Sequence, residues 1–230
     1  MVSVFGTCRV NLPISNQLNN MINYTHSTSE VFQMIDYIRG DYVPAPEYGQ
    51  FLFRTSIITH HPITYTPNFY QLLDTSHTVI IELCSRKTYV YDTHFLHHLA
   101  VDNRLGTDWC NYTPWSIRRG VTVVKQTYAD VERDMCSLQK MLAPRRVLFV
   151  THYTHPEMET IAPHVMHERN VLIDWMLKIG MTHGLEVYSP RDMLHDRPMS
   201  WLLENDLCHY TSEGLAYWMN LFITHTGLKT

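Results

Sequence analysis

Short apolar segments alternate along the chain with longer segments in which apolar and polar residues recur at helical spacing. The apolar segments are rich in β-branched and aromatic residues and predict buried strands at residues 2–5, 78–83, 146–151 and 185–188. The periodic segments predict helices from the capping box at 27–30 to Gly40, over 127–142, over a long stretch that ends at Gly180, and over about 212–222. Buried strands that alternate with amphipathic helices are typical of a parallel sheet covered by helices on both faces.

The remaining segments show weaker patterns of apolar and polar residues. Residues 87–91 alternate and predict a short hairpin partner, whereas residues 41–70 are rich in Pro, Tyr and His and are expected to be irregular. Because no repeat, low-complexity tract or linker interrupts the chain, a single α/β domain over residues 1–230 is the simplest prediction. Ligands of such sheets bind at the carboxyl ends of the strands, so functional residues are expected just after them.

Composition and charge exclude several classes of protein. The chain is 45% hydrophobic and 17% charged, which favours a globular core and excludes bulk disorder. Its net charge of −4 argues against a nucleic-acid partner, and no apolar run is long enough for a membrane span. Five widely spaced cysteines without a C-x-x-C pair, and an N-terminus without a basic signal region, predict a reducing, cytoplasmic location. The oligomeric state is left open.

The first candidate for chemistry is Cys8, which follows the first predicted strand. A helix that starts soon after it would favour the thiolate through its dipole, and Arg9 would add positive charge. The alternative is that Cys8 is a small buried hydrophobic residue, as most cysteines outside disulfides are.

The second candidate is the pair Asp206 and His209, in a predicted loop before the last helix. An Asp three residues before a His can hold one ring nitrogen and leave the other to act as a base. The alternative is an exposed polar loop in which Thr211 caps the helix.

Two further groups follow predicted strands. His152 comes directly after the third strand and can stabilise an oxyanion or serve as an alternative base. Ser85 follows the second strand, where backbone amides of the turn can complete an oxyanion hole, although a strand end with solvated charges is the alternative. The histidines His152, His155, His164 and His167 form two H-x-x-H pairs, which leaves metal binding open as an alternative.

The order of these groups resembles that of the SGNH/GDSL hydrolase superfamily. Gly6-Thr7-Cys8 resembles its first block, with Cys8 at the position of the serine nucleophile, and Asp206-x-x-His209 with Gly214 resembles its last block. Thr151-His152-Tyr153 stands where the family has Gly-x-Asn-Asp. A cysteine at the nucleophile position is similar to GSCFA-type proteins and to bacterial capsule-polysaccharide acetyltransferase-like proteins. The resemblance implies a flavodoxin-like three-layer α/β/α sandwich with about five parallel strands.

The residues and the resemblance together predict an esterase or O-acyltransferase that works through a covalent acyl-enzyme. Cys8 attacks the acyl carbonyl, His209 transfers the proton and Asp206 orients His209. Arg9, Ser85 and His152 are expected to contact the oxyanion or the substrate, an acyl and most simply acetyl ester of a carbohydrate. No metal or other cofactor is expected to be required, although thiolate chemistry makes acyl-CoA a candidate donor.

Two rival functions stay open. One is a metal-dependent hydrolase built on His152, His155, His164 and His167. The other is a non-catalytic carbohydrate-binding relative that keeps the scaffold and lines a groove with its Tyr and Trp side chains.

Overall fold

The computed structural model describes residues 1–15, 20–62, 71, 73–102, 108–205 and 209–228. The described strands are β1 Val2–Gly6, β2 Asn20–Tyr24, β3 Thr78–Leu83, β4 Lys87–Tyr91, β5 His94–Leu96, β6 Thr122–Lys125, β7 Arg146–Thr151 and β8 Glu186–Tyr188. The described helices are α1 Cys8–Ser15, α2 Thr28–Arg39, α3 Arg54–Thr59, α4 Trp115–Gly120, α5 Tyr128–Leu142, α6 Pro156–Ile161, α7 Pro163–His183, α8 Arg191–Leu194, α9 Met199–Leu202 and α10 Ser212–Thr226, with 3₁₀ turns at His98–Ala100 and Trp109–Tyr112. No helix within these ranges combines the length and the apolar character that crossing a bilayer requires.

The central sheet has five parallel strands in the order β2-β1-β3-β7-β8. Successive side chains of its inner strands enter two separate cores: Phe5, Ile81 and Phe149 pack with α2, α5 and α7, whereas Val4, Ile80 and Leu148 pack with α1 and α10. Because both faces are covered, the inner strands are apolar at nearly every position, which is why the sequence shows them as continuous apolar runs. The predicted three-layer α/β fold with a parallel sheet is confirmed.

A second, antiparallel sheet has the order β5-β4-β6. Tyr89 of β4 pairs with Leu96 of β5 on one side and with Val123 of β6 on the other. The alternation in β4 therefore marks a strand, as predicted. Its partners are nevertheless β5 and β6, because β1 and β7 already occupy both edges of the preceding strand β3.

Helix ends agree with the sequence in one case and differ in another. Ser27 caps α2, and Gly40 ends it in the left-handed conformation (φ 80°), as predicted. The predicted end at Gly180 is wrong, because α7 continues to His183 and ends at Gly184 (φ 64°). Gly180 instead allows close packing on β8, since a Cβ there would lie 2.7 Å from Cγ2 of Val187. Within the segment expected to be irregular, α3 forms a short helix.

The strand order brings three strand ends together. β1, β3 and β7 are neighbours and run in the same direction, so Gly6, Leu83 and Thr151 end at one edge of the sheet. The residues just before or after these ends are Thr7 and Cys8, Glu82 and Cys84, and His152. This edge is the one at which ligands of parallel sheets bind.

Candidate active site

Cys8 is the first residue of α1 and lies two positions after the end of β1. The carbonyl of Thr7 accepts the amide hydrogens of Val10 at 3.3 Å and of Asn11 at 3.0 Å, so the helix starts at this point. The Cys8 side chain is half-buried, which places it at the rim of the sheet and not in either core. The partial positive charge of a helix N-terminus favours a thiolate there.

Glu82, the penultimate residue of β3, connects β1 with β7 across this edge. Its Oε2 accepts two hydrogen bonds from Thr7, from the amide at 2.6 Å and from the hydroxyl at 2.7 Å. Its Oε1 lies 2.6 Å from Nδ1 of His152. Gly6 makes room for this carboxylate, because a Cβ at Gly6 would lie 2.7 Å from the Cβ of Glu82. Glu82 therefore holds both the residue before Cys8 and the ring of His152.

The surroundings set the protonation of this pair. Burial opposes ionisation of Glu82, but its contacts with His152 and Thr7 outweigh burial and hold the pKa of the carboxyl below its ordinary value. Burial, with the charge of Arg169 next in effect, lowers the pKa of His152 to about 3. An ionised carboxylate only accepts hydrogen bonds, so the neutral His152 ring must carry its proton on Nδ1. Its Nε2 is then an acceptor.

The neighbours of Cys8 and His209 meet on one aromatic ring. The guanidinium of Arg9 lies over the ring of Tyr153, 5.2 Å from its centroid. The ring of Tyr210 packs against the same Tyr153 ring at a centroid distance of 6.3 Å. Burial raises the pKa of Tyr210 well above its ordinary value, and the charges of Arg9 and Glu82 also act on it. The segment at His209 and the start of α1 therefore line the same edge of the sheet.

His209 lies between α9 and α10, and its side chain is exposed. Its carbonyl accepts the amide hydrogen of Glu204 at 2.9 Å. The hydroxyl of Thr211 accepts the amide hydrogen of Gly214 at 3.0 Å and caps α10, as one of the two sequence interpretations expected. Asp206 lies outside the described residues, so its pairing with His209 stays a prediction.

The turn after β3 uses its amide groups to hold the end of β2. The amides of Cys84 and Ser85 both donate to the carbonyl of His26, at 3.0 Å and 3.1 Å. The hydroxyl of Ser85 accepts the amide hydrogen of Lys87 at 3.0 Å. The backbone donor that the sequence predicts for an oxyanion hole is therefore engaged in this turn.

The four histidines of the two H-x-x-H pairs do not form one cluster. His155 is buried; its Nδ1 accepts an amide hydrogen at the start of α6, and its Nε2 lies 2.9 Å from the carbonyl of Arg197. His164 and His167 are exposed on α7. Among the described residues, His152, His155, His164 and His167 do not bring their ring nitrogens to a common point. The metal centre that the sequence left open is not assembled from these residues.

Glu82 is not among the residues that the sequence predicts for the site. The available signal is a charged residue in an otherwise apolar buried strand, which must find hydrogen-bond partners to offset its burial. The sequence does not identify those partners, because Thr7 lies 75 positions and His152 lies 70 positions away.

Two solved structures are similar to this chain, and the first of them agrees with the architecture. A lipase/acylhydrolase from Enterococcus faecalis superposes with a TM-score of 0.51 and 10% identity, over 97% of this chain and 93% of that chain. LAE5, an α/β hydrolase enzyme from the metagenome of Lake Arreo in Spain, superposes with a TM-score of 0.47 and 10% identity, over 98% of this chain and 94% of that chain. Identities this low describe the fold alone. Among curated proteins, none matches the chain.

The family comparison is more specific. The model of the TviD N-terminal domain matches residues 1–111 and again residues 101–222. The two matches overlap and together extend over nearly the whole chain of 230 residues. The chain therefore belongs to the TviD N-terminal domain family.

Proposed function

We propose that the chain is an SGNH-like acyl-transfer enzyme, an esterase or O-acyltransferase, in which Cys8 is the nucleophile and His209 the base. The observation that supports this most strongly is the shared contact on Tyr153. Arg9 is next to Cys8 and Tyr210 is next to His209, near opposite ends of the chain. Both side chains pack against the ring of Tyr153. A thiol at a helix N-terminus and an imidazole on the facing loop are the two groups that covalent acyl transfer needs.

The proposed reaction has two steps. The sulfur of Cys8 attacks the acyl carbonyl carbon while His209 takes the thiol proton, and His209 then returns this proton to the departing alcohol or thiol. The product of the first step is a thioester on Cys8. In the second step water or a sugar hydroxyl attacks the thioester and gives its proton to His209, and the thiol is regenerated. Asp206 is proposed to hold the ring of His209 in the required tautomer.

The oxyanion is assigned mainly to the Cys8 amide and Arg9. Arg9 is 4% exposed, so its positive charge acts in a poorly solvated environment where it is strong. His152 has its proton on Nδ1 in the neutral ring and accepts at Nε2, so it suits a substrate hydroxyl better than an oxyanion. Ser85 takes part only if the turn after β3 releases its contact with His26.

The substrate is proposed to be an acyl ester, most simply acetyl, of a carbohydrate. The TviD family is related to capsule polysaccharide biosynthesis, which supports a sugar acceptor or a sugar ester. Thiolates exchange readily with thioesters, which favours acyl-CoA as the donor if the enzyme is a transferase. With water as the acceptor, the same intermediate makes the enzyme an esterase.

The test is trapping of the acyl-enzyme. Purified protein is incubated with p-nitrophenyl acetate and, separately, with acetyl-CoA, and intact mass and p-nitrophenol release are recorded. We expect one acetyl group on Cys8, and we expect Cys8→Ala to lose the adduct and at least about 1000-fold of the rate, as variants without a nucleophile do. Cys136→Ala is the matched control, because Cys136 is also half-buried and lies on α5, away from this edge.

Two results would overturn the proposal. One is acetylation and turnover that persist in Cys8→Ala. The other is that Cys8→Ala and Cys136→Ala lose the adduct and the turnover to the same extent. A folded protein that binds acetylated oligosaccharide without any adduct on Cys8 would point to the non-catalytic carbohydrate-binding alternative.

A further inference from the structure

Three histidine rings that the proposed reaction does not use meet beside the end of β2. His26 follows β2 by two positions, and His97 and His98 lie at the start of a 3₁₀ turn after β5. The ring centroids are 4.6 Å apart for His26 and His97, 4.5 Å for His26 and His98, and 4.6 Å for His97 and His98. One nitrogen from each ring lies within 4.8 Å of the other two, and no other trio of this kind occurs in the described part of the chain.

His97 is the most informative member of this group, which we call the histidine cluster. Its side chain is 0% exposed, and its Nε2 has no hydrogen-bond partner among the described residues. A buried ring nitrogen without a partner is costly and requires an explanation. Neutral imidazole is the form that binds metal ions.

His26 has the second feature of a metal ligand. Its Nδ1 lies 3.4 Å from Oε2 of Glu30, and the same oxygen accepts the His26 amide hydrogen at 3.1 Å. Glu30 is buried in the first turn of α2, where Ser27 also contacts it. A histidine ligand characteristically donates its other ring hydrogen to a carboxylate, which orients the ring and leaves Nε2 to coordinate.

We propose that His26, His97 and His98 bind a divalent transition-metal ion, with Zn²⁺ as the best fit. Three imidazole nitrogens with one open position form a typical tetrahedral zinc site, and Glu30 supplies the nearby negative charge. Tetrahedral bonds of about 2.0–2.1 Å separate two ligand nitrogens by about 3.3 Å. Because the nitrogens lie within 4.8 Å of one another, the rings need to close by at most about 1.5 Å.

Coordination also resolves the unpaired nitrogen of His97. The amide of Leu99 donates to Nδ1 of His97 at 3.3 Å, which leaves the ring hydrogen on Nε2 without an acceptor. Metal binding at Nε2 moves that hydrogen to Nδ1, where it and the Leu99 amide are both donors, so the long contact with Leu99 is lost and the metal bond must offset this loss. The ion would then join the end of β2 to the segment after β5.

The experiment uses the full chain without a polyhistidine tag, treated with a chelator and then titrated with ZnSO₄ or CoCl₂. We expect one equivalent of Zn²⁺ by calorimetry and mass spectrometry, a visible Co²⁺ spectrum of tetrahedral type, and a higher Tm with Zn²⁺. His98→Ala and His26→Ala should each weaken binding by more than about 100-fold, and Glu30→Gln by about 10- to 100-fold. Both histidines are half-buried and are therefore better targets than the fully buried His97.

The double variant His164→Ala/His167→Ala is the matched control, because it removes two exposed histidines from α7. Unchanged Zn²⁺ binding in this control supports the histidine cluster. The proposal fails if the wild-type chain binds no Zn²⁺, if His26→Ala and His98→Ala bind as tightly as wild type, or if only the control loses binding. None of these readouts depends on acyl transfer, so this proposal and the proposed function can fail separately.

Discussion

At the scale of single residues, Glu82 is the side chain on which the candidate site depends. A carboxylate that is 1% exposed is tolerated because Thr7 donates two hydrogen bonds to one oxygen and His152 contacts the other. The consequence is directional: the ionised carboxylate requires a hydrogen on Nδ1 of His152 and so makes Nε2 an acceptor.

Glu82→Gln is expected to change stability and reactivity together. Glutamine has one oxygen and one NH₂ group, so if its oxygen faces Thr7, its NH₂ faces His152 and drives the ring hydrogen to Nε2. We expect the free energy of unfolding to fall by about 1.5–3 kcal/mol, the value of hydrogen bonds to a charged group. Acyl transfer to a sugar acceptor should slow by about 10- to 100-fold, because Nε2 of His152 then carries a hydrogen and no longer accepts from the sugar hydroxyl. Urea denaturation and acetyl transfer from acetyl-CoA to an oligosaccharide measure the two effects.

The control for Glu82 is a surface pair of the same residue types. Glu132 lies 2.9 Å from Nε2 of His183 with both side chains about one-third exposed. Glu132→Gln is expected to change stability by less than about 0.5 kcal/mol, since exposed pairs contribute little. Equal losses of stability in Glu82→Gln and Glu132→Gln would show that the contacts of Glu82 with Thr7 and His152 have no special role.

The position of Cys8 could be predicted from the sequence, whereas the role of Glu82 could not. Cys8 lies just after an apolar strand and begins a helix, and both of these patterns are local. Glu82 acts through Thr7 and His152, and these contacts exist only once β1, β3 and β7 lie side by side. A hydrogen bond between residues far apart in the chain produces no periodic pattern in the sequence, so these contacts could not be predicted from it.

At the scale of elements, the packing of α9 against α10 positions the segment that carries His209. The amide of Thr211 donates to the carbonyl of Leu202 at 3.1 Å, and Leu203 forms an antiparallel bridge with Tyr210. Gly214 lies against the same carbonyl, and a Cβ there would be 2.2 Å from the Leu202 oxygen. The glycine that the family resemblance includes is therefore required for close contact between two helices.

Gly214→Ala is expected to push α10 away from α9 and to displace His209 with it. The clash is with backbone, which cannot rotate away, so we expect a loss of about 2–3 kcal/mol in stability, in the upper range for overpacking. The acyl-transfer rate should fall as well, measured under conditions in which circular dichroism shows a folded protein. Gly49→Ala is the control, since a Cβ at Gly49 would meet only ordinary contacts, the nearest at 3.6 Å. Unchanged stability and rate in Gly214→Ala would contradict this role.

Strongly periodic elements could be predicted, and those defined by tertiary contacts could not. The apolar strands β1, β3 and β7 and the helices α2 and α5 match their patterns closely. β2 reads Asn-Met-Ile-Asn-Tyr, a mixed sequence without a clear period, and it forms a strand because it pairs with β1 along its whole length. Gly180 resembles a helix end in the sequence, but a glycine is needed there because the helix packs closely against Val187.

At the scale of the whole molecule, the fold couples its stability to the charge state of the edge. His152 is buried among Glu82, Arg169 and Arg9, and of these only Glu82 favours a protonated ring. In the unfolded chain the same ring has its ordinary pKa of 6.5, against about 3 in the fold. Folding therefore expels a proton from His152 whenever the pH lies between these values.

This coupling predicts an acid-sensitive fold with a defined window. Above pH 6.5 the ring is neutral in both states and costs nothing; as the pH falls towards 3, the unfolded state alone binds the proton and gains stability. Glu82 has a lowered pKa, so its own contribution is lost only below its ordinary value of 4.5. The window of interest therefore lies between the ordinary pKa values of 4.5 and 6.5. As the pH is lowered from 6.5 to 4.5, the free energy of unfolding of the wild type should decrease more steeply than that of His152→Gln. The difference in slope is expected to be up to about 1.4 kcal/mol per pH unit. Urea denaturation of both proteins across this range measures the difference, and parallel slopes would show that His152 is protonated equally in the folded and unfolded states.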